Sequence, residues 1–285
     1  MNLYGNRFFT DFIHRFIIQR PRLRLALTRL LVRDRDLDVS LCGGTLRINS
    51  IKEIGYLNAA KNAPSNIVFR DELATVLNLA LLLEPGDTFL DIGANAGLYS
   101  VLLGRFSFIC PQIRRYAFEA NPDTLQRLRV SVAPYGVQVE PYAVSDKAGK
   151  LQFTSGAVSG VFAAQSPSSP VPAGTLLVEV ETRRLDAAPI EGNSLVAKID
   201  VEGHEWEVLQ GATGLFAAQR FKAVYLDGYG DARIPDFLRA QGFDLFDGRT
   251  LQPSDRPGFS LLAIHRDWLK RHGGIVKSKQ YTAPT

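Results

Sequence analysis

The segment TFLDIGANAGLYS, residues 88–100, decides the fold class. An apolar run reaches Asp91, passes a turn of small residues that contains Gly93, Asn95 and Gly97, and continues in a helix-forming pattern. The stretch therefore predicts a strand, a tight turn and a helix. Two explanations for a turn made of such small residues remain open from the sequence. Either the glycines let the helix pack closely on a sheet, or a small polar ligand approaches the main chain.

Strand-like and helix-like segments alternate outward from this turn. The strand-like segments are TFLDI, RRYAFEA, VQVEPYAV, SLVAKIDV, KAVYLDG, FDLFD and FSLLAIH. The helix-like segments are 97–105, 122–132, 204–216 and 232–241, preceded by DELATVLNLALLL. This alternation predicts βαβ units, and the last two strands lack room for a crossover helix between them. We expect an α/β fold: a seven-stranded, mainly parallel, Rossmann-like sheet with its last strand antiparallel and helices on both faces.

The expected division of the chain has three parts. Residues 1–69 form an Arg-rich extension with helices and a β-hairpin, whose two strands in LDVSLCGGTLRINS turn at Gly43-Gly44. Residues 70–265 form the main domain, and residues 266–285 form a basic tail to which no role is assigned. Within the main domain, residues 150–186 form a β-rich insertion around the loop SPSSPVPAG. This insertion is a candidate lid over the sheet edge, or else a surface loop.

Positive charge is concentrated at the N-terminus. The chain has a net charge of +4, and residues 1–33 alone carry +6, so the remainder is slightly acidic. A nucleic-acid partner is therefore not expected. The arginines interrupt every apolar run, which excludes a secretory signal or a membrane span in this segment. Its helices either pack on the body or contact a membrane or a partner protein. With two cysteines there is no disulfide framework, which favours the cytoplasm, with a membrane-peripheral site as a further option.

The turn at 91–97 also constrains the ligand. Its glycines lie four residues apart and do not form the G-x-G-x-x-G pattern of dinucleotide-binding turns. N–H groups at a helix N-terminus suit a carboxylate, and Asp91 suits an amine or a sulfonium. A ligand with an amino-acid end is therefore expected here. Glu119, after the next strand, is placed to accept hydrogen bonds from vicinal ribose hydroxyls.

A further polar cluster lies in LVAKIDVEGHEWEVLQGA, residues 195–212. Charged Lys198 and Asp200 alternate with apolar residues in a strand that should be buried, which is costly unless they are paired or functional. His204 is a candidate general base held by a neighbouring carboxylate. Two other interpretations stay open: a metal site, for which no distal ligand is visible, and an N-capped helix with a buried ion pair.

Four motifs together resemble the FkbM family of S-adenosylmethionine-dependent methyltransferases. They are FLDIGANAGLYS, AFEANP, YAVSDKAG and KIDVEGHEWEVLQGA, and the resemblance covers residues 70–265. It implies the class I methyltransferase fold, S-adenosyl-L-methionine as cofactor, and methyl transfer to a hydroxyl of a sugar, polysaccharide or related natural product. We assign no residue as a metal ligand. After the fifth strand, many members carry an acid-rich or His-containing segment, whereas this chain has LDGYG. The acceptor side of the site is therefore expected to differ from that of those members.

Motif by motif, the resemblance implies site residues. The cofactor-binding residues would be Asp91, Gly93, Asn95, Gly97, Tyr99 and Ser100 around the methionine part, Glu119 at the ribose, and Ser145 with Asp146 beside adenine. The catalytic residues facing the acceptor would be Asp200, Glu202 and His204, with His204 or Asp200 as the base.

Two alternatives to this function remain at the level of sequence. One is a nicotinamide-dependent oxidoreductase, against which the glycine spacing and Asp91 argue. The other is a non-enzymatic binding module that uses the fold only as a scaffold for an interaction surface.

Overall fold

The computed structural model describes residues 20–61, 72–107, 112–155, 163–164, 176–256 and 258–274. The predictions for residues 1–19, for the loop SPSSPVPAG and for the last eleven residues of the tail fall outside these ranges.

The described N-terminal part contains two helices and a hairpin. The elements are α1 (Pro21–Leu31), β1 (Asp36–Leu41), β2 (Gly44–Asn49) and α2 (Ile54–Lys61). The hairpin was predicted, but its turn is Cys42-Gly43, one residue earlier than expected, because Leu41 pairs with Gly44. Both turn residues have positive φ, 49° and 78°, as a two-residue turn between twisted strands requires. The helix α2 was not predicted.

The rest of the chain alternates strands and helices. The elements are α3 (Leu73–Leu82), β3 (Thr88–Ile92), α4 (Leu98–Arg105), β4 (Arg114–Phe118), α5 (Pro122–Val132), β5 (Gln138–Glu140), β6 (Ala143–Val144), β7 (Gly149–Ser155), β8 (Ala163–Ala164), β9 (Leu176–Arg183), β10 (Leu195–Ile199), α6 (Glu205–Gln210), α7 (Thr213–Ala217), β11 (Phe221–Asp227), α8 (Ile234–Ala240), β12 (Phe243–Asp247), β13 (Ser260–His265) and α9 (Arg266–Arg271).

The main sheet has the predicted architecture. Its strand order is β12-β13-β11-β10-β3-β4-β5. The pairs from β11 to β5 are parallel, whereas β13 is antiparallel to both β11 and β12. The class I methyltransferase fold class is therefore confirmed. Because β3 and β10 are neighbours while the chain leaves β3 toward β4, the strand order reverses at β3, where ligands bind in open α/β sheets.

Two apolar layers cover the sheet. Phe89 and Val196 face a core shared with α3, α4 and α5, and Leu90 and Ala197 face a core shared with α6, α7 and α8. The hairpin belongs to the first layer, in which Leu46 and Ile48 are fully buried, and β2 packs on α4 and α5, the helices that cover this face of the sheet. The division at residue 69 stays a prediction.

The insertion, together with β6 just before it, forms a second sheet of order β6-β9-β7-β8. Phe153 from β7 reaches the pocket described below. The predicted helix 204–216 is divided into α6 and α7. The division comes from distant parts of the chain: Arg184 donates to the Gln210 carbonyl, and the Asp186 N–H donates to the Gly211 carbonyl. These long-range donors replace the helical partners of the two carbonyls.

The tail is ordered as far as the structure describes it. Helix α9 follows β13 directly, and its Trp268 is buried in the first apolar layer. Across the described ranges, no helix combines the length and the apolar character that a membrane span requires.

Candidate active site

A pocket opens at the carboxyl edge of β3, β4 and β10. Its walls include six of the predicted site residues: Gly93, Asn95, Glu119, Asp200, Glu202 and His204. Aromatic walls come from Phe118, Tyr142 and Phe153. The other six predicted residues, Asp91, Gly97, Tyr99, Ser100, Ser145 and Asp146, are not among its walls. They lie behind it or beside it, as their contacts show.

Asp91 stabilises the turn from behind. Its side chain is fully buried, and its Oδ2 accepts hydrogen bonds from the Ser100 backbone N–H at 3.1 Å and from the Ser100 hydroxyl at 2.7 Å. Asp91 therefore caps the first turn of α4, where a negative charge also favours the helix dipole. Its Oδ1 lies 3.5 Å from the Lys198 ammonium.

Packing accounts for both glycines of the turn. Gly93 and Gly97 have φ of 72° and 90°. A Cβ on Gly93 would overlap the backbone carbonyl of Asp200, and a Cβ on Gly97 would lie 2.8 Å from Leu128 of α5. Gly93 nevertheless borders the pocket, so at this position close packing and access for a ligand go together.

Glu119 lies at the end of β4 with both carboxylate oxygens fixed. Oε2 accepts the Asn95 N–H at 2.9 Å and Oε1 accepts the Asn121 N–H at 2.8 Å. Burial raises the pKa of Glu119 from 4.5 to about 7, against the lowering effect of these two N–H donors. Each oxygen keeps a lone pair, so the carboxylate can accept two further hydrogen bonds from a ligand in the pocket.

Lys198 is the central charge of the cluster. Its side chain is 3% exposed, and its ammonium donates to the Gly93 carbonyl at 2.7 Å and lies 3.2 Å from Asp200. Burial lowers the pKa of Lys198, but the carboxylates of Asp200, Asp91 and Asp227 outweigh burial and raise it above its ordinary value. Asp200 itself is one-third exposed and faces the pocket.

His204 contacts a different part of the site. Its Nε2 lies 3.0 Å from the Ser145 hydroxyl, and its ring packs edge-on against Phe153. Burial lowers the pKa of His204, with the carboxylates of Glu207 and Asp146 opposing the shift. The imidazole is therefore neutral at pH 7, and the structure groups it with Ser145 and Asp146, which hydrogen-bond to each other at 3.2 Å.

Glu202 lies between Asp200 and His204 in the sequence. It follows β10 with a positive φ of 51°, and its side chain borders the pocket. Burial and the carboxylate of Asp200 raise its pKa. A strained backbone and a perturbed acid at one position are typical of functional sites.

Several polar residues near the site were not found from the sequence. The Tyr99 hydroxyl donates to Glu72 at 2.6 Å, and the Tyr99 ring stacks on Tyr225. Burial, followed by the carboxylate of Asp227, raises the pKa of Glu72 to about 7. No motif marks Glu72, which precedes an apolar helix in the sequence. Asp227 could have been indicated only by its position as an acid at the end of the strand in KAVYLDG.

No three or more His, Cys, Asp or Glu side chains among the described residues are arranged to hold a metal ion.

The sequence comparison identifies the domain around this pocket. Residues 91–245 match the methyltransferase FkbM domain, which is more than half of the chain. The chain belongs to the FkbM methyltransferase family. The predicted family, its class of enzyme and its cofactor S-adenosyl-L-methionine are thus confirmed, and the nicotinamide alternative gains no support. The buried Glu119 carboxylate and the open Gly93–Asn95 turn fit the ribose and the amino-acid end of this cofactor.

One relative is similar to half of the chain. The hexuronic acid methyltransferase AglP of Haloferax volcanii is 30% identical over 153 residues, which is 50% of this chain and 56% of AglP. The match thus spans about half the length of that relative.

The solved structures to which the chain is similar are more distant in sequence. A precorrin-6y C5,15-methyltransferase from Geobacter metallireducens is 16% identical with a TM-score of 0.38, covering 69% of this chain and 88% of its own. A TehB-like methyltransferase from Corynebacterium glutamicum is 13% identical with a TM-score of 0.37, covering 73% and 97%. A Geobacter sulfurreducens methyltransferase, solved with S-adenosyl-L-homocysteine, is 12% identical with a TM-score of 0.35, covering 62% and 65%.

Proposed function

We propose that the protein transfers the methyl group of S-adenosylmethionine to a hydroxyl of a sugar, or of a sugar-containing natural product. The observation that carries this proposal is the pocket itself, in which the ribose-type carboxylate Glu119 and the acid Asp200 border one opening. The pocket lies within the FkbM domain, which supports S-adenosylmethionine as the methyl donor. The similarity to a hexuronic acid methyltransferase supports a carbohydrate acceptor.

The cofactor has a defined orientation in this proposal. Glu119 accepts hydrogen bonds from the two ribose hydroxyls, and the Gly93–Asn95 turn carries the methionine part. Adenine lies between the aromatic walls, beside Ser145, Asp146 and His204. Asp91, Gly97 and Ser100 act indirectly, because they hold the turn from behind. Tyr99 acts through Glu72 on the acceptor side.

The contacts favour Asp200 over His204 as the base. His204 is bound to Ser145 on the adenine side, whereas Asp200 is partly exposed and follows the central strand β10. Methyl transfer from a sulfonium is an in-line displacement: the acceptor oxygen forms the new C–O bond as the C–S bond breaks. The hydroxyl proton then needs an acceptor, and a positioned carboxylate contributes roughly 10²- to 10⁴-fold to such a step. Glu202 is a further carboxylate at the same opening, beside Asp200 and Glu119.

Isothermal titration with S-adenosylmethionine tests the donor. Wild-type protein is expected to bind, and Glu119→Gln to bind at least tenfold more weakly, because a neutral amide accepts ribose hydrogen bonds less strongly. Glu191→Gln is the matched control, since that exposed carboxylate pairs with Arg114. Absence of binding to folded wild-type protein would contradict the proposal.

Transfer of the labelled methyl group tests the acceptor class. Hexoses, hexuronic acids and their lipid-linked or polymeric forms are the panel, and acid or base hydrolysis of the product separates ethers from methyl esters. A base-stable product is expected for hydroxyl transfer. Labelled methyl esters alone would mean that the acceptor is a carboxylate instead.

We further propose that the Arg-rich N-terminus holds the enzyme at the cytoplasmic face of an anionic membrane. The support is α1, on which Leu30 and Leu31 are about 75% exposed beside several arginines. Flotation with phosphatidylglycerol vesicles is the test, and deletion of residues 1–33 is expected to abolish binding. Equal flotation of the full and the truncated chains would contradict this part.

A further inference from the structure

Lys198 is a charged residue in the middle of the sheet. It lies in β10, between the parallel neighbours β3 and β11, and the adjacent Ala197 and Ile199 are buried. Burying an ammonium costs several kcal/mol unless good acceptors surround it. A core strand of this kind would be more stable with an apolar residue, so the lysine requires an explanation beyond folding.

The acceptors of Lys198 come from two separate parts of the site. One is the Gly93 carbonyl, at 2.7 Å, in the turn that follows β3. Another is the Asp200 carboxylate, at 3.2 Å, two residues further along β10. Gly93 and Asp200 both border the pocket, whereas Lys198 itself does not. The ammonium therefore joins two pocket walls from behind.

Two further contacts fix the ammonium itself. Asp91, which caps α4, lies 3.5 Å away, and the ring of Tyr99 lies beneath the nitrogen with its centroid at 5.3 Å. A cation over an aromatic face is attracted by the ring, more so away from water. Tyr99 in turn is hydrogen-bonded to Glu72 at the start of α3. Lys198 is thus connected to β3, α3 and α4 as well as to its own strand.

We propose that Lys198 is a positioning residue, which holds the cofactor turn and the acceptor-side acid Asp200 in one fixed arrangement. This inference rests on the proposed function. Lys198 touches neither substrate and acts through Gly93 and Asp200. Loss of its ammonium frees the Gly93 carbonyl and the Asp200 carboxylate, so both walls of the pocket become less ordered before the ligand binds.

The chain offers a matched control in Lys222. This lysine is also buried and also ion-paired, with Glu84 and Asp87, but it lies at the start of β11, at the opposite edge of the sheet. Lys198→Met and Lys222→Met both remove a buried ammonium, and both should lower the melting temperature. Only the first should affect the pocket.

The experiment measures S-adenosylmethionine affinity by titration below the melting temperature of every variant. We expect Lys198→Met to weaken binding at least tenfold, and Lys222→Met to leave it within twofold of wild type. Lys198→Gln, which keeps an N–H donor for the Gly93 carbonyl, should recover part of the affinity. It also replaces the Met variant should that variant fail to fold.

A double-mutant cycle with Asp200→Asn separates positioning from general destabilisation. Because Lys198 acts partly through Asp200, the two losses in affinity should not add, and the double variant should bind about as well as Lys198→Met alone. Additive losses would overturn the inference, as would unchanged affinity in Lys198→Met. If wild-type protein itself fails to bind S-adenosylmethionine, it is the proposed function that fails.

Discussion

The imidazole of His204 lies 3.0 Å from the Ser145 hydroxyl, across 59 residues of sequence. The two candidate bases after β10 therefore contact different parts of the pocket. His204 lies on the β6 side, whereas Asp200 pairs with Lys198, which also binds the turn after β3. The neutral imidazole, with its pKa lowered by burial, is an adenine-side contact in our proposal and not the base.

His204→Ala and Asp200→Asn are therefore expected to differ. His204→Ala should weaken S-adenosylmethionine binding several-fold and leave the pH dependence of turnover unchanged. Asp200→Asn should lower turnover by about 10²- to 10⁴-fold, since a positioned proton acceptor is lost. Turnover and binding are measured separately for each variant. A turnover loss of that size in His204→Ala, with normal binding, would return the base to His204.

Glu119 should make cofactor binding release protons. In the free protein its pKa is about 7, because the carboxyl is buried. Ribose hydroxyls donate to the ionised form and lower that pKa, so binding should become tighter as pH rises through 7, with up to one proton released. Titration at pH 6.5 in two buffers of different ionisation enthalpy measures the release.

Two variants distinguish the source of the proton. Glu119→Gln should abolish the release, and Glu72→Gln, at a second acid whose pKa is about 7, should keep it. The reverse pattern would assign the release to Glu72.

The same shift affects the stability of the free protein. A folded pKa above the unfolded value of 4.5 means that the native state binds the extra proton between pH 4.5 and about 7. The contribution of Glu119 to stability is then fully present below pH 4.5 and is lost as pH rises to 7, by about 3 kcal/mol for a full shift of this size. Urea unfolding of the wild type and Glu119→Gln across this range measures the difference.

The fold was readable from the sequence because its signals are local. Apolar strands such as TFLDI and the helix start Asn121-Pro122 act within a few residues, and the short link between β12 and β13 excludes a crossover. The prediction failed where a distant group decided the structure. Arg184 divides the predicted helix 204–216, although it lies 26 residues before Gln210.

The site was readable in part, for the same reason. The motifs predicted which residues border the pocket at Gly93, Glu119 and Asp200, because strand ends meet at one sheet edge. They could not predict that Asp91 turns toward Ser100, or that Glu72 reaches Tyr99. These contacts depend on side-chain direction and on packing between elements, which spacing does not encode.

The two turn glycines offer a test of packing against ligand access. Gly97→Ala should cost at least about 2 kcal/mol, because alanine is strained at positive φ and its Cβ would approach Leu128. Gly93→Ala should be more severe, since it displaces the Asp200 backbone. Gly55→Ala in α2 is the control: nothing lies within 4 Å of the new Cβ, so the variant should be as stable as wild type or more so. A Gly97→Ala protein of normal stability that no longer binds cofactor would favour ligand access.

Helix α9 should be held less tightly in acid, because Glu84 loses its charge. This carboxylate accepts from Lys222, from the Trp268 indole at 3.2 Å and from His272 at 3.1 Å. Burial raises the pKa of Glu84, but these donors outweigh burial and lower that pKa from 4.5 to about 2. The unfolded state therefore binds the proton first, so the stabilisation is present above pH 4.5 and is lost as pH falls toward 2. Because the side chain is about half exposed, we expect Glu84 to contribute less than about 1 kcal/mol to stability.

Trp268 fluorescence during acid titration is the measurement, with Glu84→Gln as the variant and Glu191→Gln as the exposed control. The Gln variant should lose the acid-dependent change between pH 2 and 4.5, and an identical transition in all three proteins would show that Glu84 does not hold the helix.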